Sequence, residues 1–267
     1  MTKMLRHKIS YGIALCRFND KNQPEIILIK KRYSYYFYEF VLGKYQKNNE
    51  EKSNKYLMKM FNNMTYHEKL EILSFKFENL WYKIWLEPVN IKYNKEQKDS
   101  FYMRKNKGFF SYKHKFESIF LVDSGKRLKS LINNSTNSDT TWEIPKGRKS
   151  ANEKEIDTAK REFIEETNIK SDDFRILLHV PPIVDTYRDA GTTYKNIYYL
   201  ATLIPDKNIL NPKIYFNSYD QTLEVESVKW VSLSEIKFLS LNQKTKKRTI
   251  RLFENILKIF KKECKLY

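Results

Sequence analysis

Cysteine is nearly missing from this chain: of 267 residues only two, Cys16 and Cys264 near opposite ends, carry a thiol. There is no CxxC pair, which excludes a disulfide framework and a cysteine zinc site, and a reducing, intracellular setting is expected. Apolar runs of membrane-spanning length are lacking, and the opening MTKMLRHKIS has no apolar core of the signal-peptide kind. A soluble protein is expected. Acidic residues are outnumbered, 32 against 50 Lys and Arg, for a formal net charge of +18. That excess favours polyanions such as nucleic acid, polyphosphates or anionic membrane surfaces; a Lys- and Asn-rich coding bias is the competing explanation. What is abundant excludes disorder, since 41% of residues are hydrophobic and 15% aromatic. The length suits one large domain or two modest ones.

The chain is organised around GRKSANEKEIDTAKREFIEETNI, Gly147 to Ile169. From about Asn152 to Thr167 it has neither Pro nor Gly, and Ile156, Ala159 and Phe163 recur at helical spacing, which predicts an amphipathic helix. Glu162, Glu165 and Glu166 then stand at i, i+3 and i+4 on one face. Three carboxylates so close repel unless a cation sits among them, and hard divalent ions prefer such oxygen ligands. A solvated acidic face is the plainer alternative.

Upstream, residues 9–18 and 25–31 are apolar runs separated by Asn19–Pro24, which predicts a hairpin, with Gly12 marking a close approach. Between Tyr33 and Asn137 the pattern turns helical: Thr65–Glu68 forms a capping box, and Leu70, Leu73, Phe77, Leu80, Trp81, Ile84 and Trp85 follow at helical spacing up to Pro88. Trp81 and Trp85 read first as a hydrophobic seam and second as a base-stacking platform. A basic, aromatic tract then offers Arg104, Lys105, Lys107, Lys113, Lys115, Lys126, Arg127 and Lys129 among Tyr102, Phe109, Phe110 and Tyr112. It is a candidate RNA track, although a solvated helix face explains the same residues. The polar loop Asn133–Thr141 leads back to Trp142–Gly147, a short strand entering the motif. Residues 176–187, 196–204 and 225–233 read as strands of a mixed sheet. The last helix carries the stripe Ile250, Phe253, Ile256, Leu257 and Phe260, suited to packing, with membrane-surface binding as the alternative.

The spacing of Gly147, Glu153 and Arg161-Glu162-Phe163-Ile164-Glu165-Glu166, closing on Ile169, resembles the signature of the Nudix hydrolases, G-x5-E-x7-R-E-U-x-E-E-x-G-U. Asn168 replaces the second glycine, a mild departure because Asn also tolerates the left-handed conformation. The segments KKRYSYYFYEF, MFNNMT, WYKIW, LKSLIN, WEIPKG and REFIEET further resemble the mRNA-decapping Nudix enzymes of large DNA viruses. The resemblance implies an α/β (α+β) fold: an alpha-beta-alpha sandwich with a mixed sheet, residues 1–33 and 138–267, interrupted by an inserted all-helical, RNA-binding domain at 34–137.

It also implies hydrolysis of the mRNA 5′ cap to methylated GDP and 5′-monophosphate RNA, in the host-cell cytoplasm. Mg²⁺ or Mn²⁺ would be held by Glu162, Glu165, Glu166 and the Gly147 carbonyl, with Glu224, six residues before Trp230, as a further ligand or general base and Glu226 as its rival. Arg161 and Glu153 would support the cluster. Lys146 of the PKG triplet, Arg188 and Lys195 would meet phosphates, with a surface role equally open for the last two. Inositol pyrophosphates suit the same site, and a non-catalytic RNA-binding module is the alternative of another class. Phe37, Tyr187 and Tyr194 are among many aromatics able to stack on a cap.

Overall fold

The computed structural model describes residues 6–45, 51–74, 76–85, 108–189, 192–204, 212, 221, 224–239 and 246–263. The chain divides into two compact units, one made of Met1–Lys31 and Trp142–Tyr267, the other of Arg32–Thr141.

The first unit is built on a mixed sheet. The apolar runs near the start form β1 (Arg6–Phe18) and β2 (Pro24–Lys31), joined by a turn in which Asn22 takes φ 55°. The hairpin is short. Only Cys16 to Phe18 pair with Ile26 to Pro24; from Arg6 to Cys16 β1 runs parallel to β7 (Thr192–Leu203), and from Glu25 to Lys31 β2 pairs antiparallel with β8 (Val225–Ser232). Into the gap between them come β3 (Trp142–Glu143) on β2 and β4 (Lys146–Gly147) on β1. The expected single strand at WEIPKG is thus two fragments, because Pro145 has no N–H for a ladder. β5 (Phe174–Ile176) and β6 (Ile183–Asp189) both pair with β7; the run expected at 176–187 is broken at Pro181–Pro182 for the same reason.

Alternation along the strands gives the sheet two apolar faces. Ile13, Leu15, Ile27 and Ile29 pack with Ala159 and Phe163 of the motif helix, α7 in chain order (Glu155–Thr167). On the other face Ala14, Cys16, Ile26 and Leu28 meet Phe253, Ile256, Leu257 and Phe260 of α9 (Lys246–Glu263). The stripe of the last helix is therefore occupied by the sheet rather than offered to a membrane surface. A single turn of helix, α8 (Leu233–Ile236), capped by Ser232, follows β8. No helix among the described residues is long and apolar enough to cross a membrane.

The described part of the second unit is helical, with no strand: α1 (Tyr35–Val41), α2 (Glu51–Asn62), α3 (Tyr66–Ser74), α4 (Phe77–Trp85), α5 (Phe109–Phe116) and α6 (Lys126–Asn133). Its core is aromatic, with Phe37, Phe40, Phe61, Phe77, Phe116 and Phe120 buried together. The capping box is present: Glu68 takes the N–H groups of Thr65 and Ser34, and Thr65 Oγ1 accepts from the Glu68 N–H. The periodic run after it is two helices. Ile72 and Phe77 are both buried, yet five residues place them roughly 140° apart on one straight helix, so a break is needed to face both inward. Buried Lys69 is satisfied by Ser135 Oγ, the Thr136 carbonyl and Asn137 Oδ1, which fastens the polar loop.

Candidate active site

The motif helix begins three residues later than its pattern suggests. Lys154 is extended, and Glu153, before the helix, takes the Ser150 N–H and the Thr158 hydroxyl. The Tyr11 hydroxyl on β1 donates to Glu155 at 2.7 Å and ties the helix start to the sheet. At the other end Asn168 has φ 57°, the left-handed cap that a glycine would otherwise supply.

Arg161 organises the outer part of the cluster. Its Nε and Nη2 donate to the two Glu153 oxygens at 2.8 and 3.1 Å, and Nη1 lies 2.9 Å from both Glu162 and Glu165. These bonds hold the Glu153 carboxyl down at about 2. Glu162 leans over β4: a Cβ on Gly147 would lie 1.9 Å from the Glu162 Cδ. Burial raises the Glu162 pKa against the pull of Arg161.

Glu166 is the deepest carboxylate of the motif helix, 3% exposed. One oxygen accepts from Lys31 Nζ at 2.5 Å, and the other takes the Lys146 N–H at 2.9 Å. Burial pushes its pKa up to about 7, with Lys31 opposing and Glu143 and Glu224 adding to the rise. Lys31 Nζ also meets Glu224 at 3.0 Å and Glu143 at 3.8 Å. Although burial works against its charge, these carboxylates hold the Lys31 pKa well above the ordinary lysine value.

The structure thus brings Glu162, Glu166, Gly147, Lys146 and Glu224 together, with Glu165 at the rim, 36% exposed. Glu224 and Glu226 part company at a bulge in the β2/β8 register: Lys31 pairs with Val225 and Lys30 with Ser227, so Glu224 reaches Lys31 while Glu226 pairs with Lys30 at 2.9 Å. The Lys146 ammonium is turned to Glu143. Two members of the site, Lys31 and Glu143, were not singled out from the sequence. Alternation held the signal for the first, since Lys31 falls on the Ile27 and Ile29 side of β2, the face that α7 covers.

Other candidates are placed apart. Arg188 and Lys195 are exposed on β6 and β7, on one side of the sheet by register. Tyr187 and Tyr194 stack at 5.0 Å, and the Arg248 guanidinium covers Tyr187 at 3.8 Å while gripping Asp185. Phe37 is sealed in the helical core, which removes it as a cap-stacking surface. In the helical unit Lys113 pairs with Glu78, Lys115 donates to the Gly43 carbonyl, and Arg127 reaches Asn54, while Lys126 and Lys129 are exposed. Phe110 is exposed, but Phe109 and Trp81 pack on each other, and Trp85 lies against the core. Tyr102, Arg104, Lys105 and Lys107 fall outside the described residues.

Among the described residues no three His, Cys, Asp or Glu side chains already converge as a metal cage; their oxygens are turned to Lys31 and Arg161. The donor set nonetheless fits a hard divalent cation. It is made of carboxylate oxygens, Gly147 leaves Glu162 room over the strand, and buried Glu166 already takes a cation.

Comparison with known proteins gives the family of the chain. The profile of the family described as NUDIX domain matches residues 113–253. The mRNA-decapping protein g5R of African swine fever virus is 37% identical over 240 residues, 88% of this chain and 89% of that protein. A putative mRNA-decapping protein of Acanthamoeba polyphaga mimivirus is 27% identical over 239 residues, 80% of this chain and 60% of that protein. Among solved structures, a C. elegans Ap4A hydrolase aligns over 93% of this chain and 96% of its own, at 13% identity and a TM-score of 0.40.

Proposed function

The chain belongs to the Nudix hydrolases, and from that premise we propose that it removes the 5′ cap of mRNA by hydrolysing the cap pyrophosphate. The products are methylated GDP and a 5′-monophosphate RNA: a water oxygen bonds to phosphorus, and a bridging P–O bond breaks. The observation that carries the chemistry is the meeting of Glu162 and Glu166 with the Lys146–Gly147 strand and Glu224. The substrate rests on the likeness, over most of both chains, to a protein named for mRNA decapping.

Nudix hydrolases work with divalent metal ions, and here Glu162, Glu165, Glu166, Glu224 and the Gly147 carbonyl would hold Mg²⁺ or Mn²⁺. Such an ion, when bound, polarises phosphoryl oxygens and lowers the pKa of water. The protein's own groups do the rest. Arg161 fixes Glu162 and Glu165 through charge-assisted bonds and is itself fixed by Glu153. The β4 backbone fixes Glu166. A carboxylate of this cluster accepts the proton of the attacking water. Lys146, on leaving Glu143, would supply positive charge beside the phosphate chain, and Arg188 and Lys195 are proposed to meet phosphates farther from the cluster. RNA would run over the basic side chains of the helical unit, of which Lys126 and Lys129 are exposed while Lys113, Lys115 and Arg127 are half-buried. The cytoplasm, where capped mRNA is translated, is the proposed place of action.

A second reading, hydrolysis of inositol pyrophosphates, is favoured by the net charge of +18, which suits a small, dense polyanion equally well. Purified protein incubated with cap-labelled RNA and Mn²⁺, with and without an inositol pyrophosphate, separates the two. Methylated GDP is expected as the labelled product, and its release should fall when the second polyanion competes. Turnover of the inositol pyrophosphate alone would replace the decapping reading.

A further inference from the structure

Lys31 stands among carboxylates in a way the reaction above does not call for. It ends β2, where alternation turns it to the face covered by α7, and the bulge after Lys30 sets Glu224 rather than Glu226 beside it. Its ammonium lies 2.5 Å from Glu166, 3.0 Å from Glu224 and 3.8 Å from Glu143. The neighbouring cations are engaged elsewhere: Arg161 with Glu153, Glu162 and Glu165, and Lys146 with Glu143. Among the described residues, then, Lys31 is the cation that meets both Glu166 and Glu224. With the Lys146 N–H on its second oxygen, Glu166 has both oxygens occupied.

Resting on the reading of this site as metal-dependent, we propose that Lys31 is a built-in counter-cation, which holds Glu166 and Glu224 together in the metal-free protein and competes with a divalent ion for Glu166. A carboxylate as buried as Glu166, with exposed Glu224 and half-buried Glu143 close by, needs positive charge beside it, and one ammonium on a flexible stem provides it reversibly. A divalent ion reaching Glu166 must displace that ammonium or bind against its repulsion. Lys31 thereby sets the affinity of the site for metal, acting through Glu166 as a positioning residue.

The test uses the full chain as wild type, K31M and K31R, titrated with Mn²⁺ by calorimetry and melted with and without the ion. K31M is expected to bind Mn²⁺ roughly tenfold more tightly, from the loss of one nearby charge, to melt lower than wild type without metal, and to gain more on adding Mn²⁺. K31R keeps the charge and should stay near wild type in both. If K31M does not fold without metal, K31Q, which keeps a hydrogen-bond donor but no charge, carries the same comparison. Equal or weaker Mn²⁺ binding by the neutral variants overturns the role of Lys31 and leaves the hydrolase reading standing. Absence of Mn²⁺ binding in wild type and variants alike overturns both.

Discussion

The carboxylate of Glu162 occupies the space that a side chain on Gly147 would need, its Cδ lying 1.9 Å from where a Cβ would stand. The glycine of the motif is thus fixed by a neighbour fifteen residues along rather than by its own backbone angles.

Gly147→Ala should therefore push Glu162 off β4. Decapping is expected to fall by about 10²-fold, the usual effect of a displacement near 1 Å on a positioned group. Rate and melting temperature measured together check it: a variant as active as wild type would show that Glu162 need not lie against this strand.

The two candidate distal acids are separated by the β-bulge, Glu224 reaching Lys31 and Glu226 reaching Lys30. Glu224→Gln should lower the decapping rate by about 10²-fold, the lower range for a residue of the proton-transfer machinery. Glu226→Gln should stay within about twofold, as an exposed pair contributes little. Reversed effects would move the acid to Glu226.

How much of this was legible in the sequence differs from element to element. The helix phase that buries Ala159 and Phe163, with Ile156 half-buried, the left-handed Asn168 and the close approach at Gly12 all follow from local chemistry, and each is in the structure. So does the seam role of Trp81, which is 4% exposed and stacks with Phe77. Pro145 and Pro181–Pro182 cut strands that hydrophobicity alone runs together. Lys31 was hidden because its partners lie more than a hundred residues away, and no local pattern distinguishes an ammonium facing carboxylates from one facing water. The lysines of the basic tract were legible as charge but not as partners. Lys113 and Lys115 are engaged within the protein, which composition cannot report.

Acid should weaken the link between Glu153 and Arg161 once the pH falls below the ordinary carboxylate range. Its folded pKa of about 2 lies below the ordinary carboxylate value of 4.5, because Arg161 bonds to its charged form. A depressed pKa means stability that is present above the unfolded value and is lost as the pH falls toward about 2. Melting curves of wild type and Glu153→Gln should therefore differ at neutral pH and converge on acidification. A constant gap would indicate that the pair with Arg161 contributes nothing.

Exposed Lys126 and Lys129 give a test of the RNA path. The double alanine variant should bind single-stranded RNA more weakly, with the slope of log affinity against log salt shallower by roughly 1.4, or about 0.7 for each phosphate no longer neutralised. A weakening that does not vary with salt would point to damage to the helical unit instead.

The most direct measurement is release of methylated GDP from cap-labelled RNA by Glu166→Gln in the presence of Mn²⁺, with folding verified by melting. The variant is expected to lose at least about 10²-fold in rate. Release at the wild-type rate would show that the acidic cluster at the end of α7 is not where the cap is cut.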